Sequence, residues 1–145
     1  MDQLPENEQT FVNDFLTPAR IARMATADKL GQPHVVPVWY AWDGESIWIS
    51  AFSSTRKVKD LEENPLISIA VDEASEDDHA SAVILEGNAE LLHEPRAFIE
   101  KQFYWIYARY VGDEGIWGKA PEEWIKDPLN TLIKLTPKKI WTWHW

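Results

Sequence analysis

The stretch His34–Asp72, HVVPVWYAWDGESIWISAFSSTRKVKDLEENPLISIAVD, decides how this chain folds. An apolar strand ending in Tyr40-Ala41-Trp42 meets a turn at Asp43-Gly44. A second strand, Ser46 to Phe52, then runs straight into the small polar cluster Ser53-Ser54-Thr55 and the basic pair Arg56-Lys57. Behind that pair a short helix, Val58 to Glu63, is closed by Asn64-Pro65, and Leu66 to Val71 returns to the core as a third strand. The order strand, hairpin, strand, polar turn, helix, strand places an anion-like turn beside a flat aromatic strand. That turn suits a phosphate, and the strand suits rings attached to it.

The residues of the turn give the chemical reason. Hydroxyls of Ser53, Ser54 and Thr55 can donate to phosphate oxygens, Arg56 offers a planar two-pronged donor, and Lys57 adds a point charge. The turn also opens a helix, whose first backbone amides point outward unpaired and favour an anion. A second arrangement fits the same spacing. In it Thr55 is an N-cap, while Arg56, Lys57 and Lys59 form a solvated face paired with Asp60, Glu62 and Glu63. Neither a Walker motif nor a glycine-rich nucleotide fingerprint occurs.

Working outward, Glu8 to Leu16 carries Phe11, Val12, Phe15 and Leu16 at helical spacing, and Thr17-Pro18 stops it. Arg20 to Ala27 reads as a strand and Asp28 to Pro33 as a hairpin connection, so that Arg20–Ala27, Pro33–Trp42 and Ser46–Phe52 form a three-stranded meander. A charged loop, Ala74 to Ser81, lacks any apolar period and is expected to be solvated or mobile. Ala82 to Leu92 follows as a strand. Pro95 opens the longest helix, Arg96 to Tyr110, with Phe98, Ile99, Gln102, Phe103, Ile106 and Tyr110 on one stripe. Tyr104, Trp105 and Tyr107 lie off that stripe, placed either to border a site or to pack against acidic loops. A loop with a short helix near Pro121 to Ile125 leads to the last strand, Thr131 to Leu135, and to the tail Ile140-Trp141-Thr142-Trp143-His144-Trp145.

Composition narrows the class. At 145 residues the chain is one ordinary domain. It divides into an N-terminal helix (1–19), a barrel core with the polar turn (20–92), a helical insertion (95–127) and a C-terminal strand with its aromatic tail (131–145). There is no cysteine, which excludes disulfides and thiolate metal sites. The four histidines, His34, His79, His93 and His144, show no ligand spacing, so no metal site is expected. A net charge of -10 opposes binding to nucleic acid. No window reaches the roughly 18 apolar residues of a membrane span, and no signal-peptide pattern opens the chain. A cytoplasmic, soluble protein is expected. Nine tryptophans call for burial in a core, a subunit interface or a ring-stacking pocket.

Taken together, PHVVPVWYAWDG, STRKVKDLEENPLISIAVD and AVILEGNAELL resemble the pyridoxamine 5′-phosphate oxidase-like, flavin-binding split barrels. The resemblance spans Ile21 to Leu92 well and the C-terminal third in outline. It implies a mainly β fold with flanking helices, a six-stranded antiparallel split β-barrel. It also implies a homodimer with two cofactor sites at its interface, binding FMN or the related deazaflavin coenzyme. By position, Val35, Val36, Pro37, Val38, Trp39 and Tyr40 match the strand that contacts the ring and ribityl chain. Ser50 and Ala51 match the next strand's contacts, and Arg56 and Lys57, beside Ser54 and Thr55, match the basic pair that holds the phosphate. Trp141 and Trp143 share one face of the tail, a row suited either to lining the partner's flavin pocket or to interface packing alone. Two departures stand out. The basic substrate-phosphate residues and C-terminal region of the true pyridoxamine phosphate oxidases are missing, which argues against vitamin B6 oxidation. Where a polar residue, often Gln, commonly precedes the fifth strand, this chain has Ala82. The function implied is an FMN-dependent oxidoreductase passing a hydride to or from a small organic substrate. The other readings are a deazaflavin-dependent reductase or a non-catalytic flavin- or haem-binding module.

Overall fold

The computed structural model describes residues 1–75 and 79–145. In chain order its elements are α1 (Glu6–Leu16), β1 (Ala22–Ala27), β2 (Pro33–Val38), β3 (Ala41–Trp42), β4 (Ile47–Phe52), α2 (Arg56–Glu63), β5 (Leu66–Ala74), β6 (Ala80–Leu92), α3 (Arg96–Val111), α4 (Ala120–Lys126), β7 (Asn130–Leu135) and β8 (Lys139–His144). A 3-10 turn, Asp113–Gly115, links α3 to α4. The strands make one antiparallel sheet in the order β2-β1-β5-β6-β7-β4-β3, with β8 paired to β6, and it curls into a split barrel flanked by the helices. Among the described residues eight strands stand where six are expected. The expected strand Pro33–Trp42 is two strands, and the aromatic tail is a full strand of the sheet.

The split originates in β6. Of its thirteen residues, Ala80–Asn88 pair along one edge with β5. On the other edge Ser81–Glu86 pairs with β8 and Ala89–Leu92 with β7. Gly87 sits at the change of partner. A Cβ there would lie 3.0 Å from Leu135 Cδ1, 3.2 Å from the Lys138 nitrogen and 3.3 Å from the Thr136 carbonyl oxygen. A side chain there would crowd the β7–β8 corner, which passes directly over its backbone. Lys138 N–H then donates to the Glu86 carbonyl at 2.8 Å, closing the corner.

The expected three-stranded meander does not form. β1 pairs with β2 from Ala22↔Val38 to Ala27↔Pro33, but β4 pairs with β3 and β7, not with β2. The chain leaves the sheet at Trp39-Tyr40 because α3 takes the Tyr40 backbone. Tyr40 N–H donates to Tyr110 Oη at 3.1 Å, and Arg109 Nε–H donates to the Tyr40 carbonyl at 2.9 Å. The Tyr40 ring is fully buried, and its hydroxyl donates to the Leu16 carbonyl at 2.8 Å. Arg109 also donates to the Thr17 and Pro18 carbonyls, tying the end of α1 to the same point.

Alternation along the strands builds the interior. Met24, Ile49, Ile69, Val83, Leu85 and Ile133 fill the barrel, and Val12, Phe15 and Leu16 of α1 close one end. A second cluster forms under α3, where Ile99, Phe103, Ile106 and Tyr107 are buried. The stripe on this helix therefore includes Tyr107 and leaves Phe98 40% exposed, which corrects the expected one. The loop expected over Ala74–Ser81 is strand at both ends, and its centre, Glu76 to Asp78, lies outside the described residues. Among the described residues no helix is long and apolar enough to cross a membrane.

Two measurements check this architecture. Gly87→Ala is expected to lower stability in urea by about 1–3 kcal/mol, as overpacking against backbone does. Burial pushes the Tyr40 phenol up to about 12, with the neighbouring Tyr110 acting in the same direction. The folded protein thus keeps a proton that an unfolded tyrosine releases near pH 10. Its stabilising effect is fully present below about pH 10 and is lost as the pH rises to about 12. Urea midpoints measured across that interval should fall for the parent chain and fall less for Tyr40→Phe.

Candidate functional site

β4 delivers the chain into the polar turn, and β7 holds it there. Ser53 N–H donates to the Leu129 carbonyl at 2.8 Å, while both Thr55 N–H (3.0 Å) and Thr55 Oγ1–H (2.6 Å) donate to the Phe52 carbonyl. The Thr55 hydroxyl is therefore committed backwards and caps no amide of α2. The first helical bond runs from Lys59 N–H to the Thr55 carbonyl, so the amides of Arg56, Lys57 and Val58 take no acceptor among the described residues. No acidic side chain occupies the first turn. An uncapped helix start carries partial positive charge.

The two basic residues separate as α2 begins. Arg56 turns along the helix to within 3.7 Å of the Asp60 carboxylate, which is 4% exposed and accepts the Thr26 hydroxyl at 2.8 Å. Lys57 instead enters a cleft. It has no carboxylate within 4.0 Å among the described residues, and burial lowers the pKa of its amine. A half-buried cation with no counter-charge beside free amides calls for an anion.

The cleft encloses about 570 Å³, within the usual range for a small-molecule site. Pro37, Val38 and Trp39 form one side, Ser50, Ala51 and Phe52 of β4 the floor, and Thr55 and Lys57 one end. Ile21, Tyr107 and Trp124 complete it. Trp39 stacks on Tyr110 with ring centroids 4.7 Å apart, and Tyr107 meets Trp124 edge-on at 5.7 Å. Tyr107 Oη–H donates to Ser50 Oγ at 2.9 Å and accepts from Asn130 Nδ2 at 2.8 Å. Burial raises the Tyr107 pKa against the opposing pull of those two bonds.

Of the residues expected at the site, Pro37, Val38, Trp39, Ser50, Ala51, Thr55 and Lys57 converge on this cleft. Val35 is exposed beyond it, Val36 packs on the barrel core, the Tyr40 side chain is buried away from it, and Ser54 points to solvent. Arg56 stands outside the lining, beside Asp60. Trp141 and Trp143 are about half exposed on β8, opposite Ile84 and Ala82 of β6, and do not line the cleft of their own chain. The sequence gives no cue to Ile21, Phe52, Trp124 or Asn130. Tyr107 follows Phe103 by one helical turn, which is the signal that identifies its inward face. Among the described residues no group of three or more His, Asp or Glu side chains is placed to hold a metal.

A split barrel with an aromatic cleft ending at a cationic helix start defines a member of the flavin-binding split-barrel superfamily. More particularly, residues 9–144 match the family model described as pyridoxamine 5′-phosphate oxidase, and the chain belongs to that family. No curated protein sequence matches it. Among solved structures, a conserved hypothetical protein of Mycobacterium tuberculosis is 26% identical, with a TM-score of 0.76 over 97% of this chain and 84% of that one. An FAD-binding protein of Mesorhizobium loti is 21% identical, with a TM-score of 0.71 over 98% and 96% of the two chains. The haem storage protein HutZ of Vibrio cholerae is 17% identical, with a TM-score of 0.72 over 91% and 92%. At these last two identities the likeness is one of fold.

Proposed function

We propose that this protein is a flavoprotein oxidoreductase that binds FMN and passes a hydride between it and a small organic substrate, acting as a homodimer. The observation that carries this reading is Lys57, a half-buried cation without a carboxylate partner among the described residues, at an uncapped helix start that closes one end of an aromatic cleft. Lys57 and the free amides of α2 would hold the phosphate, while Trp39, Ser50, Ala51 and Tyr107 would lie along the ring system. Bound FMN supplies the hydride-carrying ring. The protein's part is to place that ring, exclude water with Phe52 and Trp124, and leave room for a substrate at the open side. Haem fits the lining less well, because the cleft presents no His or Met, and its one oxygen ligand, Tyr107, is already bonded to Ser50 and Asn130. The acidic tail of the deazaflavin coenzyme would need more positive charge than this net-acidic chain offers beside Lys57.

The dimer reading rests on the outer face of the sheet. Register aligns Pro37 and Val35 of β2 with Arg23 and Ala25 of β1, then Ala70 and Ser68 of β5, then Ile84 of β6 and Trp141 of β8. Charges border this small and apolar run, since Ser68 aligns with Glu86 and Lys139 and Arg23 pairs with Asp72, and Trp143 extends it. Pro37 belongs both to this face and to the cleft, so a second copy seated on the face would border the site.

Fluorescence titration of the protein with FMN and with riboflavin tests the phosphate end. Lys57→Ala is expected to weaken FMN about ten- to a hundredfold, the worth of a charge-assisted bond, and to leave riboflavin unchanged. Equal affinity of parent and variant for FMN would overturn the assignment, and tighter binding of the deazaflavin than of FMN would replace the cofactor. A bound phosphate raises the Lys57 pKa from its lowered value, so FMN binding at alkaline pH should take up protons, seen by calorimetry in buffers of different ionisation heat. Lys57→Met should abolish that uptake. For the dimer, Trp141→Glu with Trp143→Glu should give a monomer in sedimentation and weaken FMN; an unchanged dimer would remove this face as the interface.

A further inference from the structure

The hydrogen bonds behind the cleft floor have a fixed direction. Asn130 is 1% exposed, and its Nδ2 lies 2.9 Å from the Trp124 carbonyl and 2.8 Å from Tyr107 Oη. A carbonyl oxygen only accepts, so the amide nitrogen must face Trp124, and the side chain cannot be turned over. It keeps this orientation although its Oδ1 is buried without a partner. The two Nδ2 protons are then used on Trp124 and Tyr107. Tyr107 Oη, having accepted from Asn130, sends its own proton to Ser50 Oγ at 2.9 Å. Ser50 Oγ has thus accepted a bond on its inner side. Among the described residues no protein acceptor is within reach of its remaining proton, and Ser50 lines the cleft.

We infer that Asn130 and Tyr107 fix Ser50 as a hydrogen-bond donor aimed into the cleft, so that the site selects ligands presenting an acceptor nitrogen or carbonyl at that point of the floor. The inference rests on the flavin reading, in which the acceptor belongs to the edge of the bound ring. Ser50 is then the residue that touches the ligand, and Tyr107 and Asn130 are positioning residues that act through it. Without the relay the serine hydroxyl can point either way. With it, a ligand edge bearing only donors meets an opposed proton, an unpaired contact in a dry site.

Titration of the full chain with FMN and with riboflavin, comparing the parent with Ser50→Ala, Tyr107→Phe and the double variant, tests the relay. Ser50→Ala should weaken both flavins by the same factor, about three- to tenfold for one neutral bond, because it acts at the ring and not at the phosphate. Tyr107→Phe should weaken both, and the double variant should bind no more weakly than Ser50→Ala alone. Asn130→Asp, whose carboxylate would draw the Tyr107 proton away from Ser50, should reproduce the Ser50→Ala loss and also supplies the test if Tyr107→Phe does not fold in urea controls. In the variants that retain flavin, the visible absorption maxima of the bound ring should move together. Losses that multiply in the double variant, or a Ser50→Ala protein with parental affinity, would overturn the relay while leaving FMN binding intact. A parent chain that binds neither flavin would overturn the flavin reading and the relay with it.

Discussion

Each stretch of a strand edge can pair with one neighbouring strand, and β6 divides one edge between two partners. That division is the constraint on which the molecule depends. β8 occupies the edge up to Glu86, β7 occupies it from Ala89, and the corner between them packs closely over Gly87, which presents no side chain. On the β8 side the sheet stays open, and its outer face carries Ala25, Ala70, Ile84, Trp141 and Trp143. On the β7 side it continues into β4, and β4 leads directly into the polar turn. The site and the exposed aromatic row therefore lie on opposite consequences of one change of partner.

Adjacent basic residues acquire different surroundings from the helix that begins at them. About 100° of rotation separates successive side chains of an α-helix. Arg56 is directed toward its i+4 carboxylate, Asp60, which Thr26 also holds, and Lys57 is directed into the cleft. The first sits beside a nearly buried acid, and the second has no counter-charge among the described residues. Opposite Lys57 the cleft is controlled by neutral groups: an aromatic wall and a chain of three hydrogen-bonding side chains whose polarity starts from one main-chain carbonyl. A charge at one end and a directed dipole on the floor would act on a ligand differently, one at long range and the other at short.

Much of this was legible in local patterns. Hairpin signals at Asp28–Pro33 and Asp43–Gly44, the Pro65 stop and the polar turn place most of the elements, and the family resemblance names the fold. The cleft-lining members of the Val35–Tyr40 run were not separable, because alternation says that neighbours face opposite ways without saying which way is inward. Val36 faces the barrel core, Pro37 the cleft. Tyr40 illustrates the other limit: its strand ends there because Tyr110 and Arg109, distant in sequence, bind its backbone more effectively than a neighbouring strand does. Pairing of β4 with β7 and the meeting of Asn130, Tyr107 and Ser50 likewise depend on three separate segments. No local propensity encodes them. Tyr107 itself was within reach, one helical turn beyond Phe103, but an aromatic of mixed polarity reads equally well as surface.

The pairing of β4 with β7 also bears on how the protein is made. During synthesis the segment carrying the polar turn emerges early, yet the strand that anchors it, Asn130–Leu135, emerges late. Until then β4 has only the two residues of β3 as a sheet neighbour, and Ser53 lacks the Leu129 carbonyl that steadies the turn. Contacts between such distant segments are slow to form, since a long loop must close before they reward it. Until Asn130–Leu135 has emerged, the half-barrel is begun and the polar turn lacks its anchor. In the proposed flavin reading, capture of the coenzyme belongs to the last stage of folding, where it would stabilise only chains that have closed the barrel.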